Sequence, residues 1–402
     1  MNNIKMNAAG TGVQMKCPAC GGALYFDPLS GQMKCAYCGQ DYSTSEVNAE
    51  NEFDTDDTIE CNVYTCRSCG AELNVNDNEC STFCAYCGQP TVVFDRVARM
   101  KKPQFIIPFS VTKEQAVMSL RQKVSASMYL PDNVKRFTID KVVGIYIPYW
   151  LYDIEYSDSQ YIKGTIDGSK NKNVYENKTG DYYFRAADTF FKNITLDASM
   201  QLDDRSSRLL EPYQTEQLIP FETSYLSGFY SDRYDISKED LTGRAVERAG
   251  ERFDAALIKD VHAADDFTGL YVFHKNPKYN VTDVKYAFLP AWFLSFRHEN
   301  KTYTMMVNGQ TGKIVGGLPM DMKKLWTNIA IHTAFLAVPA SFLFYLLFYS
   351  IRDTNNEYLA LLSLPLCGII TLLAKAKRNL KDLKKSQSLT SACGLNNYSN
   401  QR

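Results

Sequence analysis

The chain has 402 residues and a formal net charge of −1, long enough for several domains and close to neutral only on average. Residues 1–95 hold four basic side chains (Lys5, Lys16, Lys34, Arg67) against thirteen acidic ones, a surface that repels phosphates. After residue 374 Lys375, Lys377, Arg378, Lys381, Lys384, Lys385 and Arg402 face Asp382 alone. This excludes a uniformly basic nucleic-acid binder and puts the charge that attracts anionic lipid at the C-terminal end.

The opening residues, Met1 to Lys5, lead into polar sequence without an apolar core, so a cleavable signal peptide is not expected and the N-terminus is expected in the cytosol. Ten of the twelve cysteines precede residue 90, and eight of them form four C-x-x-C pairs. In a reducing compartment such pairs read as metal ligands rather than disulfides. Cys17-Pro-Ala-Cys20 and Cys35-Ala-Tyr-Cys38 are separated by fourteen residues, and so are Cys66-Arg-Ser-Cys69 and Cys84-Ala-Tyr-Cys87. Each C-x-x-C-G turn offers two thiolates to one ion, and two such turns on facing hairpins complete a tetrahedron. The spacing predicts two zinc ribbons, 15–45 and 61–95, joined by an acidic linker over 46–60. Each would hold one structural zinc ion, with no open coordination position for catalysis. Cys61 and Cys80 are left as spare thiols.

From 100 to 320 the chain is rich in aromatics and carries a faint repeat. Phe105-Ile-Ile-Pro-Phe109 recurs as Leu218-Ile-Pro-Phe221, and Tyr146-Ile-Pro-Tyr-Trp-Leu151 as Phe288-Leu-Pro-Ala-Trp-Phe293. We read this as a duplicated α+β domain, with strands following each I/L-P-x-W copy, over Asp153–Gly168 and Leu294–Gly312. One helix is expected to open at Thr112 with Gln115 three residues on, the other at Ser237 with Asp240. In the second, Leu241, Ala245, Ala249, Phe253 and Leu257 share one face. Tyr149, Trp150, Tyr152, Trp292 and Phe293 fit a core better than a ligand groove. Asn308-Gly-Gln-Thr-Gly312-Lys313 has two residues between its glycines where a phosphate loop has four, and reads as a hairpin turn. The four histidines form no ligand cluster, Asp203-Asp204 and similar acidic pairs read as solvated surface, and no catalytic residue is expected.

The run 328–351 carries no formal charge and would reach about 36 Å as a helix, enough to span a bilayer. The second run, 358–374, would reach about 26 Å; as a span it completes a transmembrane helical hairpin, and lying flat in the interface it would leave the tail external. Lys323 and Lys324 before the first run, and the basic tail 375–402 after the second, place both ends of the hairpin in the cytosol.

These motifs together, C-P-A-C-G-G…C-A-Y-C-G, a second ribbon ending C-A-Y-C-G-Q-P, Ile107-Pro-Phe109, Ile147-Pro-Tyr-Trp-Leu151, Ser224-Tyr-Leu-Ser-Gly-Phe-Tyr230, Leu289-Pro-Ala-Trp292 and Asn308-Gly-Gln-Thr-Gly312, resemble a family of bacterial double zinc-ribbon membrane proteins over almost the whole chain. Its members are labelled transcription-factor-IIB-type zinc-ribbon proteins or, from the ribbons alone, replication-restart helicases. Some are encoded beside a phage-shock-type membrane-stress protein and a stomatin-like (SPFH) or virion-core-like protein. The helicase label does not suit this sequence, which lacks a phosphate loop and the length of a motor. The resemblance implies a multi-pass cell-membrane adaptor or scaffold that recruits such proteins to the cytoplasmic membrane face, in an envelope-stress assembly. The ligand residues it carries over are Cys17, Cys20, Cys35, Cys38, Cys66, Cys69, Cys84 and Cys87. A membrane-tethered nucleic-acid binder is the competing reading, and the acidic ribbon region weighs against it.

Overall fold

The computed structural model describes residues 15–48, 58–68, 70, 72–75, 92–126, 130–131, 141–165, 181–202, 204–264, 269–298, 301–316, 321–324, 326–327 and 331. They form a small antiparallel sheet and a larger mixed β/α body. The small sheet comprises β1 (Met15–Lys16), β2 (Ala23–Asp27), β3 (Gln32–Cys35) and β4 (Asp41–Tyr42) in that order, followed by the short helix α1 (Thr44–Asn48).

The body opens with β5 (Thr58–Cys66), β6 (Glu72–Val75), β7 (Val92–Lys101) and β8 (Phe105–Ile106), then helix α2 (Lys113–Ala126). β9 (Lys141–Thr165) and β10 (Asp181–Asp197) follow, then α3 (Asp204–Leu210), β11 (Ile219–Pro220), β12 (Tyr230–Ser231) and the long helix α4 (Lys238–Ala264). β13 (Gly269–His274), β14 (Lys278–His298), β15 (Lys301–Asn308) and β16 (Ile314–Val315) complete it. Among the described residues the body sheet runs β11-β8-β14-β9-β12-β6-β5-β7, with β10 and β13 on β9, and β15 then β16 beyond β14. The end of the expected acidic linker, Thr58–Glu60, is thus strand, and the hairpin of the second cysteine group is built into this sheet, Ser231 of β12 pairing with Asn74 of β6.

β9 and β14 cross antiparallel at the centre, and Ile147 pairs with Leu289. The two I/L-P-x-W motifs are therefore related by a local twofold through that pair. Their flanks obey it too. β9 is lined by β12 at Ile145–Tyr146 and by β10 from Tyr149 onward; β14 is lined by β8 at Ala287–Phe288 and by β15 from Ala291 onward. The motifs lie inside the strands, which begin earlier than expected, at Lys141 and Lys278. Proline is tolerated there because Pro148 and Pro290 fall where the flanking strand changes. Their carbonyls, which point to the same edge as the missing N–H, accept from Ala198 N at 2.9 Å and Gly309 N at 2.8 Å. By position the counterpart of β8 is β12, each preceding a helix. Leu218–Phe221 instead lies beside its supposed equivalent, Ile219 pairing with Ile106.

Both helices start as their capping sequences require. Thr112 N donates to Gln115 Oε1 at 2.9 Å while Gln115 N donates to Thr112 Oγ1 at 3.2 Å, and Asp240 N donates to Ser237 Oγ at 3.2 Å. Leu241, Ala245, Ala249 and Phe253 are buried, with Leu257 packed against them. Tyr146, Trp150, Tyr152, Phe288 and Trp292 fill one face of the sheet; Ile147, Tyr149, Leu289 and Phe293 fill the other. Two filled faces account for strands that read as near-continuous apolar runs at their centres. The apolar runs 328–351 (Ile331 apart) and 358–374, and the tail 375–402, lie outside the described residues. Among the described residues no helix is long and apolar enough to cross a membrane.

Candidate metal centre

Cys17 follows β1 and Cys35 ends β3, neighbours of β2 on either side, so the two knuckles face each other. Each knuckle is closed by a glycine in the left-handed region. Gly21 N donates to Cys17 O at 2.8 Å with Gly21 at φ +69°, and Gly39 N donates to Cys35 O at 3.1 Å with Gly39 at φ +73°. The sulfur atoms converge: Cys17 Sγ lies 3.7 Å from Cys38 Sγ and Cys20 Sγ 3.5 Å from Cys35 Sγ, and all four lie within 4.8 Å of one another. A zinc ion at about 2.3 Å from four sulfurs requires edges of about 3.8 Å, so the group can hold one zinc ion, consistent with a zinc ribbon. All four tetrahedral positions would then be protein thiolates.

The surroundings favour anionic sulfur at Cys17 and Cys35 and disfavour it at Cys20 and Cys38. The amides of Tyr37 and Cys38 both point at Cys35 Sγ at 3.4 Å, and the Cys35 thiol is lowered, with the Cys38 amide as the main cause. Tyr42 Oη lies 3.3 Å from Cys17 Sγ, and its hydroxyl draws the Cys17 thiol down to about 6. That hydroxyl has one proton and a second acceptor, Gln40 Oε1 at 2.8 Å. Cys20 stands at about 12, the Gly22 amide pulling it down but burial and the neighbouring thiols outweighing that pull. Without an ion the four sulfurs are therefore unequal acids, and metal binding must displace protons from the weaker ones. Cys17 and Cys35 are buried while Cys20 and Cys38 are exposed, so the site is seated on the small sheet with one side open to solvent.

Of the second expected set, Cys66 alone is described. It is buried at the end of β5, and the turn after it repeats the first two knuckles: Gly70 N donates to Cys66 O at 2.8 Å and Gly70 has φ +76°. Cys69, Cys84 and Cys87 lie outside the described residues, as does Cys80.

The other expected sites resolve into structure. Tyr149, Trp150, Tyr152, Trp292 and Phe293 are all core. At the Asn308 turn the asparagine side chain does the work: Oδ1 accepts from Gln310 N and Thr311 N, both at 2.9 Å, and Nδ2 donates to Leu210 O at 2.9 Å. β15 and β16 pair across it with Val307 opposite Ile314, so it is the hairpin turn expected, and its left-handed residue is Gly312 at φ +74°.

A cleft of about 250 Å³ between α3 and α4 escapes sequence reasoning; Arg205, Arg208, Arg244 and Arg248 line it with Asp204, Glu247 and Glu251. Three of its arginines are already answered: Arg244 meets Asp204 at 2.5 Å, Arg248 meets Glu211 at 2.6 Å, and Arg208 pairs with Glu251. Close by, Asp197 is buried with no hydrogen-bond partner for Oδ2, and is raised to about 7 by burial and by Asp204, against the pull of Arg244 and Arg248. No local sequence signal marks it; its place shows only in the strand register. Asp197 pairs with Tyr149 as Asn308 pairs with Ala291, equivalent places about the twofold.

Over 341 residues the chain is 30% identical to YdjG of Bacillus subtilis (strain 168), described as an uncharacterized protein; the match covers 81% of this chain and 96% of that protein. No family model and no solved structure matches.

Proposed function

The chain belongs to the YdjG family, and from that premise we propose that it is a membrane-anchored, cytosol-facing zinc-ribbon adaptor that recruits protein partners to the membrane. The observation that carries this reading is the closed four-thiolate group, whose geometry suits structural zinc and leaves no coordination position for a substrate. With it go a second ribbon and zinc ion at Cys66, Cys69, Cys84 and Cys87, a body made of two copies of one α+β unit, and a hairpin anchor over 328–351 and 358–374. Support for the second ribbon is the matching Cys66–Gly70 knuckle; support for the duplication is the twofold through Ile147 and Leu289. Trp326 and Ile331 are exposed where the first apolar run begins, and Lys324 Nζ just before it donates to Leu130 O at 3.1 Å, holding that start against the body. By resemblance, the partners are stomatin-like or phage-shock-type proteins of an envelope-stress assembly.

The test is a crosslinked pull-down from detergent-solubilised membranes, comparing the parent with a variant in which Cys66, Cys69, Cys84 and Cys87 are serine. Metal content is read alongside. Specific proteins recovered with the parent and lost with the variant support the adaptor. Recovery of salt-releasable nucleic acid with no consistent protein would replace it with a membrane-tethered nucleic-acid binder.

A further inference from the structure

We infer that the first ribbon is a metal-dependent clamp on the body: the ion held by Cys17, Cys20, Cys35 and Cys38 keeps the segment Thr223–Tyr230 in place, and that segment orders the aromatic centre of the large sheet. The inference rests on the contact between the two sheets and not on the adaptor reading.

The contact is specific. Past the Met15–Leu24 pair, where β1 stops shielding it, the edge of β2 is completed by the body: Phe26 N donates to Ser227 O at 3.0 Å and Ser227 Oγ donates to Leu24 O at 2.6 Å. Phe26 meets the Tyr225 ring edge-on with centroids 5.2 Å apart, and Thr44 Oγ1 lies 3.5 Å from Tyr225 Oη. Gly228, at φ +91°, lets the two backbones close; a Cβ there would sit 3.3 Å from Tyr25 Cβ. On the ribbon side, Leu24 pairs directly with Cys35, so the strand that holds Ser227 is held in turn by a ligand strand.

On the body side the next residue, Phe229, enters the core. Its ring stacks on Phe109 at 4.1 Å with planes 9° apart, and it meets Trp292 at 5.8 Å and Tyr146 at 5.7 Å. It also fills the space a side chain at Gly144 would need, its Cδ1 lying 2.5 Å from a Cβ built there. Tyr230 and Ser231 then pair with Ile145 and Tyr146 of β9. A continuous set of contacts thus runs from a ligand cysteine to the sheet centre.

The ribbon is the two-state element in this chain of contacts. Besides its ligands it buries only Met15, Leu24, Phe26, Met33 and Val47, too few to fold so small a module without a metal ion. When it unfolds, Ser227 loses both ribbon partners and Tyr225 loses the Phe26 ring that packs on it. Metal occupancy therefore decides whether this face of the body is covered or open.

Hydrogen exchange on the zinc-loaded full chain in mild detergent tests this, with and without a chelator and in Cys35→Ser, which removes a ligand of this ion alone. The expected result is faster exchange over 15–47 together with an increase of about tenfold or more over 223–231. Residues 291–296 and 304–308 should keep their protection, and restored zinc should reverse the change. Unchanged exchange over 223–231 while 15–47 opens would overturn the inference. So would loss of protection across the whole body, which would make ribbon and body one cooperative unit. Gly228→Ala provides a second handle, because it disturbs the contact without touching a ligand: exchange over 223–231 should rise with metal content unchanged, and exchange equal to the parent's would sink the proposal.

Discussion

The ribbon and the body reach order by different physics. In the ribbon two of the seven buried side chains among residues 15–47 are thiols of the four-sulfur group, and the fold is expected to exist only with its ion. In the body Tyr146, Phe288 and Trp292 on one face and Tyr149, Leu289 and Phe293 on the other supply apolar burial that no ligand needs to complete. One chain thus joins a small module conditioned on its ion to a body with a large apolar core of its own, and their stabilities should separate when each is challenged in its own way.

The sharpest way to break the comparison is Cys35→Ser. Removing one of four thiolates should abolish tight zinc binding at this group and unfold 15–47, at a cost on the scale of the metal's contribution, roughly 10 kcal/mol. Metal analysis should show one ion fewer per chain while the body keeps its far-ultraviolet circular dichroism. Collapse of that signal would mean the body depends on the ribbon throughout. The converse challenge is Phe288→Ala, in the body sheet and packed on Tyr146, Phe221 and Tyr286 with ring centroids within 6.2 Å. A loss of about 3–5 kcal/mol in denaturant unfolding is expected, with zinc content as in the parent.

How far each region could be read from sequence follows the same division. Thiolate spacing is local and rigid, so Cys17, Cys20, Cys35 and Cys38 converge as their pattern required, at 3.5 and 3.7 Å across the group. Helix starts are local as well, and Thr112 and Ser237 cap where expected. The body sheet is set by pairing between distant strands. The I/L-P-x-W copies are visible in sequence, but that Ile147 lies opposite Leu289 is not, nor that β12 rather than Leu218–Phe221 matches β8. The strands also begin before the motifs rather than after them, because Pro148 and Pro290 sit where a neighbouring strand changes and so fit inside a strand. Ser224-Tyr-Leu-Ser-Gly-Phe-Tyr230 stood out only as a motif. Its contact with Leu24 and Phe26 links residues some two hundred positions apart, beyond any local pattern.

A finer probe of the body uses its imperfect symmetry at Asp197, whose place about the twofold is held in the other half by the neutral Asn308. Its carboxyl is raised from 3.8 to about 7, so the folded state prefers it protonated. That contribution is fully present below about 4 and is lost as pH rises through about 7. Asp197→Asn should therefore stabilise the body by about 1–3 kcal/mol at pH 8 and have little effect at pH 4. Thermal melting between those limits reads the difference, and a parent that melts equally at both would show that the carboxyl is solvated in the folded chain.

The smallest expected effect lies at the body's surface, where stability depends on neither metal nor core. Thr112 and Gln115 exchange hydrogen bonds at the start of α2, satisfying two amides that the helix cannot reach. Thr112→Ala removes the hydroxyl acceptor and leaves Gln115 N to solvent, a loss of about 1 kcal/mol in denaturant unfolding. α2 supplies Ala116, Leu120 and Val124 to the same core that receives Phe229, and fraying at Thr112 should leave zinc content unaltered. A drop in bound zinc on this substitution would mean that strain in the body reaches the ribbon as readily as the ribbon reaches the body, and the two regions would have to be treated as one thermodynamic unit.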